Sequence, residues 1–181
     1  CTTATSGSNV WLGVPSYSGG TITTYGSYRV HTFLSSGTFF VDATKAVDYL
    51  VVAGGGGGAG QMGAGGGAGG FRTGASLTLS SQAYTITVGT GGAGGESNNV
   101  DGADDGTNSS IGSLIVSHGG GGGGGYGNNN TKSLGHNGGS GGGGASGLGT
   151  AFAGGSAIAL SPAQVSGEIT TVQGFAGGTG T

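Results

Sequence analysis

Residues 48–58 read DYLVVAGGGGG, so an apolar run passes directly into a tract that carries no side chains. Further near-pure glycine tracts lie at residues 63–70, 119–125 and 138–144. Glycine supplies 51 of the 181 residues, far above its usual share of about 7 per cent. Each glycine would weaken a helix or an ordinary strand. Such tracts are therefore either disordered or packed in a way that only a residue without a side chain permits.

The rest of the composition favours order. Collagen needs glycine at every third position with abundant proline, whereas this chain has 2 prolines and uninterrupted glycine runs. A flexible linker would lack apolar residues, but 33% of the chain is hydrophobic. Only 6% of the residues are charged and the net charge is −3, which is unlike charged disorder. The composition predicts an ordered, rigid protein of the extracellular space or of a virion.

The charges and apolar runs exclude two classes of partner. The basic residues Arg29, Lys45, Arg72 and Lys132 are spread along the chain, so neither a stripe that follows phosphates nor nucleic-acid binding is expected. No apolar run approaches the roughly 20 residues needed to span a bilayer, so no membrane insertion is expected.

The single cysteine, Cys1, allows no intrachain disulfide. Because the chain lacks an initiator Met, we interpret it as a processed or trimmed product or a segment of a longer polypeptide. A lipoprotein that begins at cysteine is the alternative.

The composition changes near residue 53 and divides the chain into three predicted parts. Residues 1–20 are rich in Ser, Thr and Gly, with Trp11 as the strong apolar anchor, and form an N-terminal arm. Residues 21–53 form a mounting subdomain of three or four short antiparallel strands. Residues 54–181 form a glycine-rich domain with exposed loops.

The strand predictions rest on short β-like runs. Polar and apolar residues alternate over residues 27–33, and similar runs follow at 37–41 and 46–53. Residues 47–52 are apolar enough to predict a strand that is buried on both faces. Between the glycine tracts, further strands are predicted at residues 77–79, 84–88, 113–116 and 169–172.

Glycine tracts can be ordered as polyglycine-II helices, which have three residues per turn and no internal hydrogen bonds. Buried backbone groups must then pair with neighbouring tracts. Ordering costs on the order of 1–2 kcal/mol per residue in backbone entropy, which only lateral hydrogen bonds and close packing can offset. We therefore predict an all-β fold in which a short antiparallel β part precedes a glycine-rich sandwich, a polyglycine-II helix stack, with essentially no α-helix.

Four stretches carry a resemblance to a known family: YRVHTFLSSGTF at residues 28–39, DYLVVAGGGGG at 48–58, GGGAGGFRTG at 65–74 and YTITVG at 84–89. Together they resemble the glycine-rich domain of tailed-bacteriophage tail-fibre and related virion proteins, over roughly residues 21–181. In tip adhesins of T-even-like phages, such tracts form a stack of polyglycine-II helices whose loops reach the host receptor. The resemblance implies the same scaffold here, but it carries over no receptor-contact residue.

The sequence predicts no enzyme, cofactor or metal site. The string G-x-S-x-G occurs at residues 138–142, but inside polyglycine and without the preceding strand that a nucleophile elbow requires. The acidic stretch at residues 101–106 lacks the alternating oxygen ligands of a calcium loop and is interpreted as a solvated turn. His31, His118 and His136 share no short metal-binding spacing.

Surface recognition remains, and the loop at residues 126–132 is its best candidate. Tyrosine gives contact area at low entropy cost, and asparagine gives adaptable hydrogen bonds. The predicted receptor contacts are Tyr126, Asn128, Asn129, Asn130, Lys132 and His136. An ordinary Asn/Gly turn is the alternative at each of these positions. Phe71, Phe152 and Phe175 flank tracts and are expected to cover the ends of the glycine stack.

The predicted function is attachment of a phage tail fibre, or of a fibre-associated virion protein, to a bacterial surface receptor, either protein or glycan. Other virion tail proteins are expected partners, as is a homo-oligomer, either a trimer or a filament. The alternative is a structural subunit of an extracellular or virion filament with no receptor-binding role. An ice- or surface-binding role is a third option, which the irregular spacing of threonine disfavours.

Overall fold

The computed structural model describes residues 17–96, 102–127, 131–147, 149–163 and 165–181. Within these residues every regular element is a β-strand, as the sequence predicted. The strands are β1 Tyr17–Ser18, β2 Thr21–Tyr25, β3 Tyr28–Thr32, β4 Gly37–Val41, β5 Lys45–Val52, β6 Phe71–Leu79, β7 Gln82–Thr87, β8 Ser109–Ile111, β9 Ile115–Ser117, β10 Ser146–Gly147 and β11 Thr150–Ala151.

Among the described residues, all the strand pairs are antiparallel, and they fall into one larger sheet and three two-stranded ones. The larger sheet has the order β1-β4-β7-β8-β9, and the small sheets are β2–β3, β5–β6 and β10–β11. β4 pairs with β7 and β5 pairs with β6, so strands on either side of residue 53 complete each other. The hydrophobic core lies between these strands and contains Val41, Tyr49, Val51, Leu77, Leu79, Tyr84 and Ile115.

Two strand predictions are wrong. β5 is buried on one face only, because Tyr49 and Val51 enter the core while Leu50 and Val52 are 60% and 53% exposed. The apolar content of this run reflects an exposed apolar surface rather than a second buried side. Residues 169–172 form no strand. The preceding residue, Glu168, forms an isolated bridge with Gly74 at the edge of β6, and Ile169 N–H donates to Thr73 O at 3.0 Å.

The glycine tracts have no strand assignment but bond to one another laterally at intervals of three residues. Ala53, Gly56 and Ala59 donate their N–H groups to the carbonyls of Gly70, Gly67 and Ala64. Gly54 and Gly57, one position further on, donate to the different segment that contains Thr107 and Asp104. A single tract is therefore bonded to several neighbours in rotation.

These bonds connect the segments into two rows. The first row runs, in order of bonded neighbours, through residues 90–95, 53–59, 64–70, 140–144 and 175–180. The second row runs through residues 103–108, 119–125, 133–139 and 152–156. Further bonds join the rows, for example from Gly120 N–H to Gly54 O (2.9 Å) and from Gly121 N–H to Ser140 O (2.9 Å).

Close approach between segments explains why the interior needs glycine. A Cβ on Gly121 would overlap the carbonyl oxygen of His136, and a Cβ on Gly122 would overlap that of Ala103. Because these obstacles are backbone atoms, no side-chain rotation could relieve them. Any larger residue would separate the segments and break the lateral hydrogen bonds.

Candidate functional site

The register of the hydrogen bonds places four chain connections at the same end of the two rows. Successive segments alternate in direction, so the described parts of these connections lie together, away from the larger β-sheet. They are residues 60–63, 96, 102, 125–127, 131–132, 145–147 and 149–151. We call this the loop end. Neighbouring connections contact each other, because a Cβ on Gly60 would overlap Glu96 O and one on Gly147 would overlap Gly127 O.

The predicted contact loop lies at the loop end. Tyr126 is half-buried and Lys132 is exposed, and the carbonyl of Lys132 accepts the N–H of Gly125 at 2.8 Å, which closes the loop. Ser133 Oγ donates to Gly127 O at 3.1 Å and holds the following segment against it. The predicted contacts at residues 128–130 (Asn128, Asn129 and Asn130) lie outside the described residues.

His136 lies elsewhere, on the side of the second row. Its Nδ1 is 2.9 Å from Asp105 Oδ1, and the two side chains are 43% and 51% exposed. The same carboxylate oxygen accepts the N–H of Gly122 at 2.8 Å. His136 therefore contributes to the scaffold surface and is not brought together with Tyr126 and Lys132.

Other exposed residues at the loop end were not predicted from the sequence. Met62, which is 66% exposed, and Gln61, with a φ of 51°, form the turn at residues 60–63. Glu96 and Thr150 are exposed on the neighbouring connections. In the sequence, Met62 could be noticed only as an apolar side chain in a four-residue turn. The register of the hydrogen bonds is needed to show that this turn and Tyr126 both lie at the loop end.

The two rows expose opposite faces of different chemistry. On the second row, side chains accept the outward N–H groups. Asn108 Oδ1 accepts from Gly119 (2.9 Å), Asp105 Oδ1 from Gly122 (2.8 Å) and Asn137 Oδ1 from Ser156 (2.7 Å). We call this the capped face.

The first row exposes the opposite surface, which we call the open face. Its outward positions recur every third residue along each segment and carry only apolar side chains, glycine and one serine. They are Val52, Gly55, Gly58, Met62, Gly65, Ala68, Phe71, Gly91, Gly94, Ser140, Gly143, Val172, Phe175 and Gly178. None of these residues can ionise. Phe71 and Phe175 lie on this face at 48% and 76% exposure, whereas Phe152 is buried.

Comparison with known proteins now identifies the family. Residues 32–181 match the family model described as a glycine-rich domain. The chain belongs to this glycine-rich domain family. No curated protein and no solved structure shows significant similarity to it.

A buried ion pair fastens the C-terminal part of the glycine-rich domain to its β-sheets. Arg72 is fully buried and donates through Nε and Nη2 to the two carboxylate oxygens of Glu168, at 2.6 and 2.7 Å. Its Nη1 donates to the carbonyls of Val116, Ser161 and Pro162 at 3.1–3.2 Å. This bidentate geometry makes strong, charge-assisted hydrogen bonds.

Tyr49 lies in the core beside this pair. Burial raises the pKa of the Tyr49 hydroxyl above its ordinary value, and the nearby Glu168 carboxylate raises that pKa further. The hydroxyl makes no hydrogen bond of good geometry, although the carboxylate is close enough to influence its charge. The ion pair and Tyr49 form a buried polar cluster away from the loop end.

On the described surface, a cavity of about 320 Å³ lies beside Thr32, Phe33 and Leu34, and a slightly larger one lies near the C-terminal segment. The larger cavity has a volume of about 360 Å³ and is lined by apolar side chains such as Ile158, Leu160 and Val172, with no ionisable group. Among the described residues, no group of three or more His, Cys, Asp or Glu side chains could hold a metal ion. No helix in the described part of the chain is long and apolar enough to cross a membrane.

Proposed function

We propose that this glycine-rich domain is an attachment protein of a tailed-phage virion, a tail-fibre or fibre-associated component that binds a bacterial surface receptor without enzymatic activity. The observation that supports this proposal is that four connections lie together at the loop end of a scaffold whose segments are bonded laterally. Binding residues are commonly held on loops that a rigid framework positions. The larger β-sheet lies away from the loop end, where it can join the domain to other virion proteins.

We infer further that the glycine segments are polyglycine-II helices packed in a two-layer stack. A polyglycine-II helix has three residues per turn, so every third residue should bond to the same neighbour. Segment 119–125 follows this rule, because Gly120 and Gly123 donate to one segment, and Gly121 and Gly124 donate to another. The overlap that a Cβ would cause inside the stack supports the same packing.

The chemistry of the loop end suits a protein or glycan receptor. Tyr126 offers an aromatic surface at low entropy cost, and Lys132 adds a positive charge to a domain with few charges. Met62 adds a flexible apolar contact, a type of side chain that adapts to irregular surfaces. A receptor with a mixed polar and aromatic-binding surface fits this set.

The hairpin β2–β3 is the proposed docking element for other tail proteins. Tyr25 and Tyr28, which pair across the hairpin, are 80% and 63% exposed. A two-stranded hairpin is marginally stable alone, and this one has no third strand among the described residues. Packing against a neighbouring protein would bury these aromatic rings.

A cell-binding experiment tests the attachment role. Residues 126–132 are replaced by a Gly/Ser segment of equal length, Tyr126→Ala and Lys132→Ala are made singly, and Tyr28→Ala serves as the matched tyrosine control. Labelled proteins are titrated onto a panel of bacterial cells. We expect the loop replacement to weaken binding at least tenfold, which is the scale of a hot-spot loss, and Tyr28→Ala to leave it unchanged.

Two results would count against attachment through this loop. One is a folded loop replacement that binds cells as tightly as the parent. The other is a parent protein that binds no cell in a broad panel. The alternative function, a structural filament subunit, is favoured by the uncharged open face, and electron microscopy would reveal it as regular filaments without cell binding.

A further inference from the structure

The two faces of the stack differ in whether their outward N–H groups have hydrogen-bond acceptors. On the capped face, Asp105, Asn108 and Asn137 accept bonds from the N–H groups of the adjacent segments. On the open face, no bond joins the N–H of Gly55, Gly58 or Gly65 to another described residue. The carbonyls of Gly56 and Gly66 likewise accept no bond from a described residue. The open face therefore presents both donors and acceptors.

Internal packing does not explain glycine on the open face. A Cβ at Gly58 or Gly65 would meet no atom within 4 Å, and one at Gly55 would meet its nearest atom at 3.6 Å. None of these three glycines has a positive φ. A larger residue in these places would reduce the entropy of the unfolded chain and would stabilise the fold. Glycine at these three positions instead leaves the face flat enough for another surface to approach the backbone closely.

An apolar strip continues the open face toward the β-sheets. Val52, Phe71, Val172 and Phe175 are 48–76% exposed there, and no charge lies among them. Contiguous exposed apolar patches of this kind mark contact sites between proteins. The strip would contribute hydrophobic burial to any partner that covers the adjoining glycine surface.

We propose that the open face binds a second copy of this chain, face to face. Another open face supplies acceptors for the free N–H groups and donors for the free carbonyls, and it is equally flat. An apolar small molecule or lipid would leave those backbone groups unpaired, and a charged polymer would find no opposite charge. The same patch on both copies forms the self-complementary interface of a two-fold dimer. This inference does not depend on receptor binding.

The available area is sufficient for such a dimer. Five segments about 5 Å apart, with about six residues each at about 3.1 Å per residue, give a glycine surface of about 400 Å² per copy. With the apolar strip included, two copies bury about 1,000 Å² in total, which is near the lower bound for a specific interface.

Sedimentation velocity with matched variants tests the proposal. Ala68→Glu and Gly65→Glu place a charge on the open face, and Ala153→Glu places the same charge on an exposed position of the second row. We expect the parent to dimerise with a micromolar dissociation constant. Ala68→Glu and Gly65→Glu should each raise that constant at least tenfold, because a desolvated charge would lack a partner. Ala153→Glu should leave it unchanged.

The outcomes are separable from misfolding. Melting temperatures are first compared in dilute protein, where the parent is monomeric, and each variant is required to melt no lower than the parent there, which the open surroundings of Gly65 permit. A parent that stays monomeric up to about 200 µM, far above a micromolar dissociation constant, overturns the proposal. It is also overturned if Ala68→Glu dimerises as tightly as the parent, or if Ala153→Glu weakens the dimer as much as Ala68→Glu.

Discussion

Arg72 is the largest fully buried side chain of the described chain, and Glu168 neutralises its charge. The two residues lie 96 positions apart in sequence. Their pairing joins the start of β6 to the C-terminal segment, and the three carbonyls bonded to Arg72 complete the enclosure. Removing one member would leave the other charge buried without a partner, and this destabilises the fold far more than the loss of a surface ion pair does.

We expect Arg72→Met to lower the free energy of unfolding by about 3–5 kcal/mol, because Glu168 would remain buried without its partner. Urea unfolding followed by intrinsic fluorescence measures this loss. The double variant Arg72→Met/Glu168→Leu should recover much of it, since both charges are then gone. A single variant within about 1 kcal/mol of the parent would show that the pair is not buried in solution.

The raised pKa of Tyr49 predicts a specific loss of stability at alkaline pH. A folded-state pKa above the ordinary value of about 10 means that the folded protein holds this proton more tightly. The resulting stabilisation is complete below about pH 10 and is lost as the pH rises through the raised pKa. The free energy of unfolding should fall more steeply above about pH 10 in the parent than in Tyr49→Phe. Equal slopes in urea titrations of the two proteins would refute this assignment.

At the scale of one element, a glycine segment is stabilised by its neighbours and not by itself. Segment 119–125 donates to segments that contain Gly54, Ser140 and Lys132, and it accepts bonds from three others. Successive residues thus bond to different neighbours, so one larger side chain disturbs contacts with several segments at once. The caps on the second row extend this arrangement to groups that would otherwise face solvent.

We expect alanine to separate the inner from the outer glycines. Gly121→Ala should destabilise the fold by about 2–5 kcal/mol, the range of severe packing defects, because its Cβ would overlap His136 O. Gly65→Ala should be neutral or stabilising by up to about 1 kcal/mol, since its Cβ meets open space. Thermal unfolding of the two variants beside the parent measures both effects. Similar melting temperatures for the two would contradict the packing described.

The caps of the second row can be tested in the same way. Asp105→Ala removes the acceptor for Gly122 N–H and for His136, and it should cost about 1 kcal/mol, as the loss of a cap does. Asp105→Asn keeps a side-chain oxygen and should retain most of the stability. Urea unfolding at neutral pH compares them. Equal losses in Asn and Ala variants would show that the charge, not the capping oxygen, matters.

Over the whole molecule, protection from solvent should follow the two rows and not the distance from the termini. Amides of Gly120, Gly121 and Gly123 are bonded between the two rows, whereas those of Gly58 and Gly65 bond no described residue. In dilute protein we expect the first set to exchange with deuterium orders of magnitude more slowly than the second. Exchange followed by nuclear magnetic resonance measures this ratio. Uniformly fast exchange across the tracts would mean that they are disordered.

Part of this structure was predictable because its causes are local. The polar–apolar alternation before residue 33 and the Tyr-Thr-Ile-Thr run gave β3 and β7 within one or two residues. β8 was not predicted, since Ser109–Ile111 is too short to show a period. Composition alone predicts the loop that contains Tyr126 and Lys132 as a contact loop, and this stays a prediction. It does not predict Met62, because the proximity of Met62 to that loop depends on the pairing of distant segments.

The sequence by itself determined the class of the protein: glycine tracts between short β-runs, with few charges, permit an all-β fold and little else. Only the tertiary structure decided the role of each glycine. Gly65 and Gly121 stand in similar tracts, yet one faces open space and the other contacts a backbone oxygen. The physical reason is that glycine has no side chain whose polarity would indicate whether the residue faces the interior or the solvent. The rotation and register of each segment are set by hydrogen bonds to segments far away in the chain.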